Sequence, residues 1–359
     1  MTVRLAIHTQ TGEWSGHWIR YCQDHGIAHE IVDCHRTDII PRLKEFDGLL
    51  WHFWQTDHRD LLMARSVLHA AEQMGLCVFP NIRTCWHFDD KLAQKYALEA
   101  VDAPLIPSWA FFNLDEACQW LRTAEFPLVA KLRGGAGARG VRLLTGRKEA
   151  ARYCKRMFGR GIAPSSGVLK IVPDKLKKAR SFGHLLGSAR KLPVLLRLLR
   201  QARHMPRERG YVLFQTFVPD NPGDIRVKVV GDRIWGFLRR NRRHDWRASG
   251  SGNLDLDHTH VPPEAVRVAR DVADRLGTQS IAYDMLIDPD GRPCIAEISY
   301  GFGYDEGESD GYWDRDLQWH DEGFHPWDLM VSNLVHCIRN RAENTLCSGR
   351  SSGTAEESP

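Results

Sequence analysis

Two carboxylates in one short stretch set the chemistry to be explained. Residues 281–299, IAYDMLIDPDGRPCIAEIS, read as two β-strands, Ile281 to Ile287 and Pro293 to Ser299, joined by the turn tetrapeptide Asp288-Pro289-Asp290-Gly291. Paired strands lie about 5 Å apart, and Asp284 interrupts one strand while Glu297 interrupts the other. A carboxylate buried without a partner costs several kcal/mol, so the pair calls for compensation. A hard cation taking oxygen ligands from both strands supplies it, and Mg²⁺ characteristically arrives with substrate phosphates. A solvated outer face is the plainer alternative for the same two acids.

Groups suited to those phosphates stand elsewhere in the chain. Phe126 to Lys131 reads as a short strand and Val141 to Leu144 as its return, and between them Gly134, Gly135, Gly137 and Gly140 punctuate the loop. Such a backbone is free to turn its N–H groups onto phosphate oxygens. It is not a P-loop, because G-x-x-x-x-G-K-[ST] is absent and the loop leads into a strand. A flexible hairpin is the alternative, but Lys131, Arg133 and Arg139 favour an anion. Upstream, a helical pattern runs to Glu99; Asp89 or Asp90 can cap it, and Lys91 sits in its first turn. A lysine there opposes the helix dipole and points to an anionic partner. Downstream, residues 211–218 read as a strand, and Pro219 to Gly223 break it. Asp224 to Val230 and Arg233 to Arg239 then form a second pair, with Arg226 and Arg239 where a core would place apolar residues. Pairing of Asp224 with one of these arginines is the plain alternative. Arg247 to Asn253 is a polar, glycine-spaced loop suited to oxyanions.

The elements that must position these groups follow from periodicity. Residues 1–88 alternate strands (Val3–His8, Glu30–Cys34, Gly48–Phe53, Cys77–Pro80) with helical patterns (Gly16–His25, Leu61–Met74), which implies a mostly parallel, doubly wound sheet. Trp51-His52-Phe53-Trp54-Gln55 falls where open sheets hold ligands; the alternative is an aromatic edge packed on the next domain. Residues 263–276 read as a helix with Val266, Ala269, Val272, Ala273 and Leu276 on one face.

At 359 residues the chain holds two or three domains, and 43% apolar with 26% charged residues is the composition of a globular protein. No apolar run approaches the roughly 18 residues of a membrane span, and the N-terminus lacks a signal pattern. Nine cysteines without a C-x-x-C pair indicate neither a zinc site nor a disulfide frame. A reducing cytoplasm is the simplest compartment. Residues 174–209 carry eleven Lys/Arg against Asp174 and Glu208, so this insert is +9 and the remainder of the +4 chain is −5. Basicity this local does not imply nucleic acid. Its leucine- and arginine-rich part, opened by Pro193, suits a peripheral membrane contact, a protein contact, a lid over an anionic substrate or a solvated helix.

The order of these features resembles the ATP-grasp superfamily, most of all its glutathione synthetase and RimK-like amino-acid and peptide ligases. Lys91 opens a helix, Lys131 precedes the glycine-rich loop, Gln215–Val218 precedes Asp224-Ile225-Arg226, and Asp284 is followed across a hairpin by Glu297. The resemblance implies an α/β (α+β) fold with ATP between antiparallel sheets. It assigns 1–88 to a preATP-grasp domain, 89–215 to a small subdomain carrying the 174–209 insert, 216–345 to a large subdomain and 346–359 to a disordered tail. It further implies that Lys91 and Lys131 contact ATP phosphates and that Gly134, Gly135 and Gly137 close over them. Gln215 belongs to the linker whose backbone at Phe217 and Val218 reads adenine, with Asp220 or Asn221 toward the ribose. Asp284 and Glu297 would hold Mg²⁺ (or Mn²⁺), with Ser299 where the family usually has Asn. Arg226, Arg239 and Arg247 would stabilise the transferred phosphoryl group.

Ligases of this kind phosphorylate a carboxylate, and an amine then displaces the phosphate to form an amide. The implied partners are a small carboxylate and an amine, an amino acid or sugar acid among them, and a homodimer is compatible. A phosphotransferase on the same fold and a non-catalytic ATP-binding module are the alternatives. The aromatic stretch beyond Tyr300 resembles a bacterial ATP-grasp subgroup, some members of which are associated with surface-polysaccharide biosynthesis.

Overall fold

A computed structural model describes residues 2–9, 13–55, 57–135, 140–163, 206–242, 245–248, 250 and 252–351, with backbone alone at 13 and 344–351. Gly137 and the insert up to 205 lie outside the described residues. The chain opens with a four-stranded parallel sheet of β1 (Arg4–His8), β2 (Ala28–Val32), β3 (Gly48–Leu50) and β4 (Cys77–Phe79) in the order β2-β1-β3-β4. Helices α1 (Glu13–Asp24), α2 (Ile39–Leu43) and α3 (His58–Gln73) connect the strands. Asp57 starts α3 by accepting from the Arg59 N–H.

The third strand ends at Leu50, not Phe53. Trp51 and Phe53 are buried with Phe88 and Tyr300, while His52 stacks on Trp14 at 3.8 Å. Of the two readings of this segment, the packed aromatic edge is the one found.

After α4 (Ile82–Cys85) and α5 (Lys91–Ala100) comes a second, antiparallel sheet. It comprises β5 (Ser108–Phe111), β6 (Leu128–Lys131), β7 (Val141–Leu144) and β8 (Val212–Thr216) in the order β5-β8-β6-β7. Helices α6 (Leu114–Trp120) and α7 (Arg147–Phe158) cover one face, where Ala117, Tyr153 and Met157 meet Leu213 and other sheet residues. Asn113 caps α6 through the N–H groups of Asp115 and Glu116.

The third sheet holds β9 (Gly223–Val230), β10 (Arg233–Arg240), β11 (Leu254–Asp255), β12 (Ser280–Ile287), β13 (Pro293–Ser299), β14 (Tyr312–Trp313) and β15 (Trp319–His320). Its order is β13-β12-β9-β10-β14-β15, with β11 also on β10. Alternation places Ile225, Val227, Val229, Ile281 and Tyr283 on one face, against α8 (Pro263–Leu276) and its buried Val266, Ala269, Val272 and Ala273. Gly277, at φ +66°, ends α8 and donates its N–H to the Ala273 carbonyl at 2.9 Å.

The closing helix α9 (Pro326–Ser351) returns to the first sheet, where Trp327, Met330, Leu334 and Ile338 pack with Trp14 and Trp18. The opening unit therefore takes part of its core from the end of the chain. The helix also runs past position 346, into the segment assigned to a tail.

The described chain on either side of residues 164–205 is joined by one β-bridge. Ile162 and Glu208 exchange both backbone hydrogen bonds at 2.9 Å. Replacing 164–205 by a short Gly/Ser linker should therefore preserve cooperative unfolding, with stability changed by about 1 kcal/mol or less, because closure entropy varies slowly with loop length. Denaturant titration checks this, and loss of a single cooperative transition is the contrary result.

Candidate active site

The uncovered face of the third sheet is charged where three strands meet. Register sets Asp284 of β12 opposite Arg226 of β9 on one side and Glu297 of β13 on the other, and Arg239 of β10 opposite Asp224. Arg226 grips Asp284 with two N–H groups, Nε to Oδ1 at 2.8 Å and Nη2 to Oδ2 at 2.9 Å. Arg239 Nη2 lies 2.7 Å from Asp284 Oδ2, and Arg239 also binds both oxygens of Asp224 at 2.6 Å.

Burial and a like charge across a hairpin both tend to raise a carboxyl pKa, yet that of Asp284 is lowered. Burial works in that direction, but the two guanidinium groups outweigh it and bring the group down to about 2. Asp224 takes the strain instead: burial and the Asp284 charge push it up to about 6 despite Arg239. Compensation for the hairpin carboxylates thus comes from protein cations.

A β-bulge decides where Glu297 points. The register passes from Asp284↔Glu297 to Met285↔Ile295, leaving Ala296 without a cross-strand partner. Ile295 and Ile298, three residues apart, both enter the α8 core, while Glu297 faces the other way. The Ala296 carbonyl accepts from Lys131 Nζ at 2.9 Å. Lys91 Nζ lies 3.0 Å from Glu297 Oε1 and donates to the Gly135 carbonyl at 2.8 Å. Both lysines are buried, and they titrate differently. Burial lowers Lys131 to about 8. It opposes the charge on Lys91 too, yet the Glu297 and Asp89 carboxylates prevail and raise that pKa.

The stem of the glycine-rich loop is held by the start of α5. Asp90 caps the helix through the N–H groups of Leu92 and Ala93. Asp89, at φ +51°, instead accepts from Gly135 N at 2.8 Å. Gly135 itself is at φ +118°, a backbone that needs glycine. On the far side, Arg133 N donates to Tyr211 Oη at 2.6 Å, and that hydroxyl donates to Glu208 at 2.7 Å.

A cavity of about 170 Å³ opens between the second and third sheets. Lys131, Gln215, Phe217, Val218, Asp220, Arg247, Asp284 and Glu297 all line it, so groups spread over more than 160 residues converge there. Arg226 and Arg239 lie behind Asp284. Arg247 is paired with Asp245 at 2.9 and 3.0 Å. Asn221, considered for a ribose, spends its amide on the Ile287 backbone, accepting from N at 2.9 Å and donating to O at 3.0 Å. Ser299 donates its hydroxyl to the Gly301 carbonyl at 2.6 Å.

Sequence reasoning missed Trp246, whose ring meets Phe217 edge-on at 5.6 Å, and Asn241, which also lines the cavity. It missed Lys228 as well, which is buried with Glu308 and donates to the Gly303 carbonyl at 2.8 Å, holding the loop after the hairpin. A charged residue in mid-strand is the signal for Lys228; nothing local marks Trp246.

No family model and no curated protein matches this sequence. Solved structures do match its shape. An ATP-grasp RimK domain protein from Sphaerobacter thermophilus superposes with a TM-score of 0.55 at 16% identity, over 92% of this chain and 99% of that one. D-alanine–D-alanine ligase from Bacillus anthracis gives 0.55 at 13% identity, over 95% and 99%. The biotin carboxylase domain of Hydrogenobacter thermophilus 2-oxoglutarate carboxylase, solved with MgADP, ADP and bicarbonate, gives 0.55 at 14% identity, over 93% and 70%. The chain has the ATP-grasp fold: a parallel α/β unit followed by two antiparallel sheets facing each other across a cleft.

Because Asp284 is the carboxylate that holds Arg226 and shares Arg239 with Asp224, Asp284→Asn should destabilise the protein by about 3–5 kcal/mol, the scale for breaking a buried ion pair. Glu297→Gln, at a carboxylate 32% exposed, should cost about 1 kcal/mol or less. Urea titration of both variants tests the asymmetry, and equal costs would contradict the network.

Proposed function

We propose that the protein is an ATP-dependent, Mg²⁺-requiring carboxylate–amine ligase, joining a small acid to an amine through an acyl phosphate. The observation that supports it best is the convergence of Lys91 and Lys131 on the carboxylate hairpin beside one cavity. In this proposal the lysines bind the triphosphate, and the loop stem tied to Asp89 brings backbone N–H groups against it. Phe217 and Val218 hold the base, with Trp246 at the edge of that pocket and Gln215 and Asp220 beside it.

The donor set fits the metal that the fold implies. Glu297 and Asp284 are directly opposed hard oxygen ligands on the cavity wall, and Ser299, two residues on, shares the strand face of Glu297. Bound there, Mg²⁺ or Mn²⁺ would neutralise phosphate charge. Arg226 and Arg239 keep Asp284 ionised and fixed, and Arg247 offers a guanidinium to charge developing on the transferred phosphoryl group. Little covalent work falls to the protein. Positioning and charge do most of it.

The acid and amine are sought by ADP release across pairs of amino acids and sugar acids, with mass analysis of products. Free phosphate released only when acid and amine are both present is the expected result. Phosphate retained on the product would assign a phosphotransferase, and nucleotide binding without turnover a binding module.

Lys131→Ala should weaken ATP binding by about 1.5–3 kcal/mol, the scale of a hydrogen bond to a charged group. Lys131 carries its charge below its pKa of about 8. Affinity should therefore be flat at lower pH and fall as pH rises through that value. Lys131→Arg should remove the fall, since guanidinium stays charged. A fluorescent nucleotide titrated across pH measures both, and a wild-type profile flat through pH 9 would contradict the assignment.

A further inference from the structure

A second cluster of ligating side chains sits in the opening unit, outside the nucleotide cleft. His8 is the last residue of β1, Asp33 and His35 follow β2, and one ligand atom from each lies within 4.8 Å of the others. These are the C-terminal ends of adjacent parallel strands. In the order β2-β1-β3-β4 the chain leaves β1 toward β2 and returns to its other side as β3, so the cluster borders the crevice where open sheets take ligands.

A buried carboxylate supports the cluster from behind. His35 Nε2 is held by Asp60 Oδ1 at 2.7 Å, and Asp60, completely buried, accepts from Trp54 N through its other oxygen at 2.7 Å. That leaves His35 Nδ1 facing Asp33 Oδ1 at 3.5 Å, close to the separation of two ligands on one tetrahedral cation with bonds of about 2.1 Å. A carboxylate on one ring nitrogen with the other turned to the metal is the usual support of a ligating histidine.

His8 is 96% buried, since only 4% of it is exposed. Its Nδ1 sits between the Val32 carbonyl at 3.1 Å and the Cys34 N–H at 3.0 Å, and its Nε2 meets no polar partner among the described residues. Nδ1 can serve only one of these partners, and in the tautomer whose Nδ1–H donates to Val32 the Nε2 carries a lone pair. A buried ring nitrogen without a partner is costly, and a cation would satisfy it.

We propose that His8, Asp33 and His35 bind one divalent transition-metal cation of the Zn²⁺ class, with Asp60 orienting His35. Two imidazoles and a carboxylate suit Zn²⁺ over the all-oxygen preference of Mg²⁺. Three protein ligands leave a fourth position for water or a small ligand. The cation would tie β1 to the turn after β2. Trp51, 5.0 Å from the His8 ring, adjoins His52, against which a side chain at Gly301 would collide at 2.9 Å. The site is thus packed toward the end of the carboxylate hairpin.

The test is Co²⁺ and Zn²⁺ titration of tag-free, chelator-stripped full-length protein in excess Mg²⁺. One equivalent of Co²⁺ should give tetrahedral visible bands without sulfur-to-cobalt charge transfer, and Zn²⁺ should displace it. Asp33→Asn, at an exposed position that folding tolerates, and His35→Gln should abolish the bands. Asp60→Asn should weaken binding by about 10–100-fold, while Glu297→Gln should leave it unchanged. Absence of tetrahedral bands in the wild type, or bands that persist in Asp33→Asn and His35→Gln, would overturn the proposal. Loss of the bands in Glu297→Gln would place the cation in the cleft instead.

Discussion

Charge matching in the cleft between the second and third sheets is the constraint on which this structure turns. Lys91, Lys131, Arg226 and Arg239 face Asp224, Asp284 and Glu297, and the buried set of Arg226, Arg239, Asp224 and Asp284 cannot lose a member without a penalty of several kcal/mol. The set comes from one helix and from strands of two different sheets. Satisfying it fixes how those elements approach. Asp89, whose carboxylate also acts on Lys91, brings the carboxylates of this cluster to four against its four cations. The same balance couples distant parts: Asp284 is held by arginines of β9 and β10, Glu297 by a lysine that begins α5.

Rigidity of the site follows from where its members sit. Arg226, Arg239, Asp284 and Glu297 stand on strands in the middle of a sheet backed by α8, so their positions are set by ladder register and core packing. The glycine-rich stem is attached at its ends, through Asp89 and Lys91 on one side and Tyr211 and Glu208 on the other. The carboxylates are thus fixed by the sheet, and the loop is anchored at its stem.

The opening unit and the far end of the chain form one packed body. Tyr300 enters the aromatic layer of Trp51, Phe53 and Phe88, and α9 covers Trp14 and Trp18. Lys228 and Glu308 lock the intervening loop beneath the third sheet, with the Lys228 ammonium 4.8 Å from the Phe302 ring. The hairpin is therefore supported from both sides, by the sheet it belongs to and by the unit that precedes it in sequence.

Much of this was legible in the chain itself. Alternation and turn residues gave the hairpin, the paired strands around Arg226 and Arg239, and helix 263–276, because local propensity and burial agree there. The ordered series Lys91, Lys131, glycine loop, Arg226, Asp284, Glu297 pointed to the fold that the solved structures share. Sequence could not show which charges compensate which. On paper a metal ion is the partner offered for Asp284 and an arginine the partner offered for Asp224, and only the strand order β12-β9-β10 puts both Arg226 and Arg239 within reach of Asp284. Nor could it reveal the bulge: strict alternation puts Ile295 and Glu297 on one face, and a single unpaired residue, Ala296, reverses that. Trp246 and Asn241 likewise become part of the cavity only when the third sheet curls against the second. Pattern along a chain records periodicity and residue type, whereas register and inter-sheet approach depend on contacts between residues far apart in sequence, and these exist only once the chain has folded.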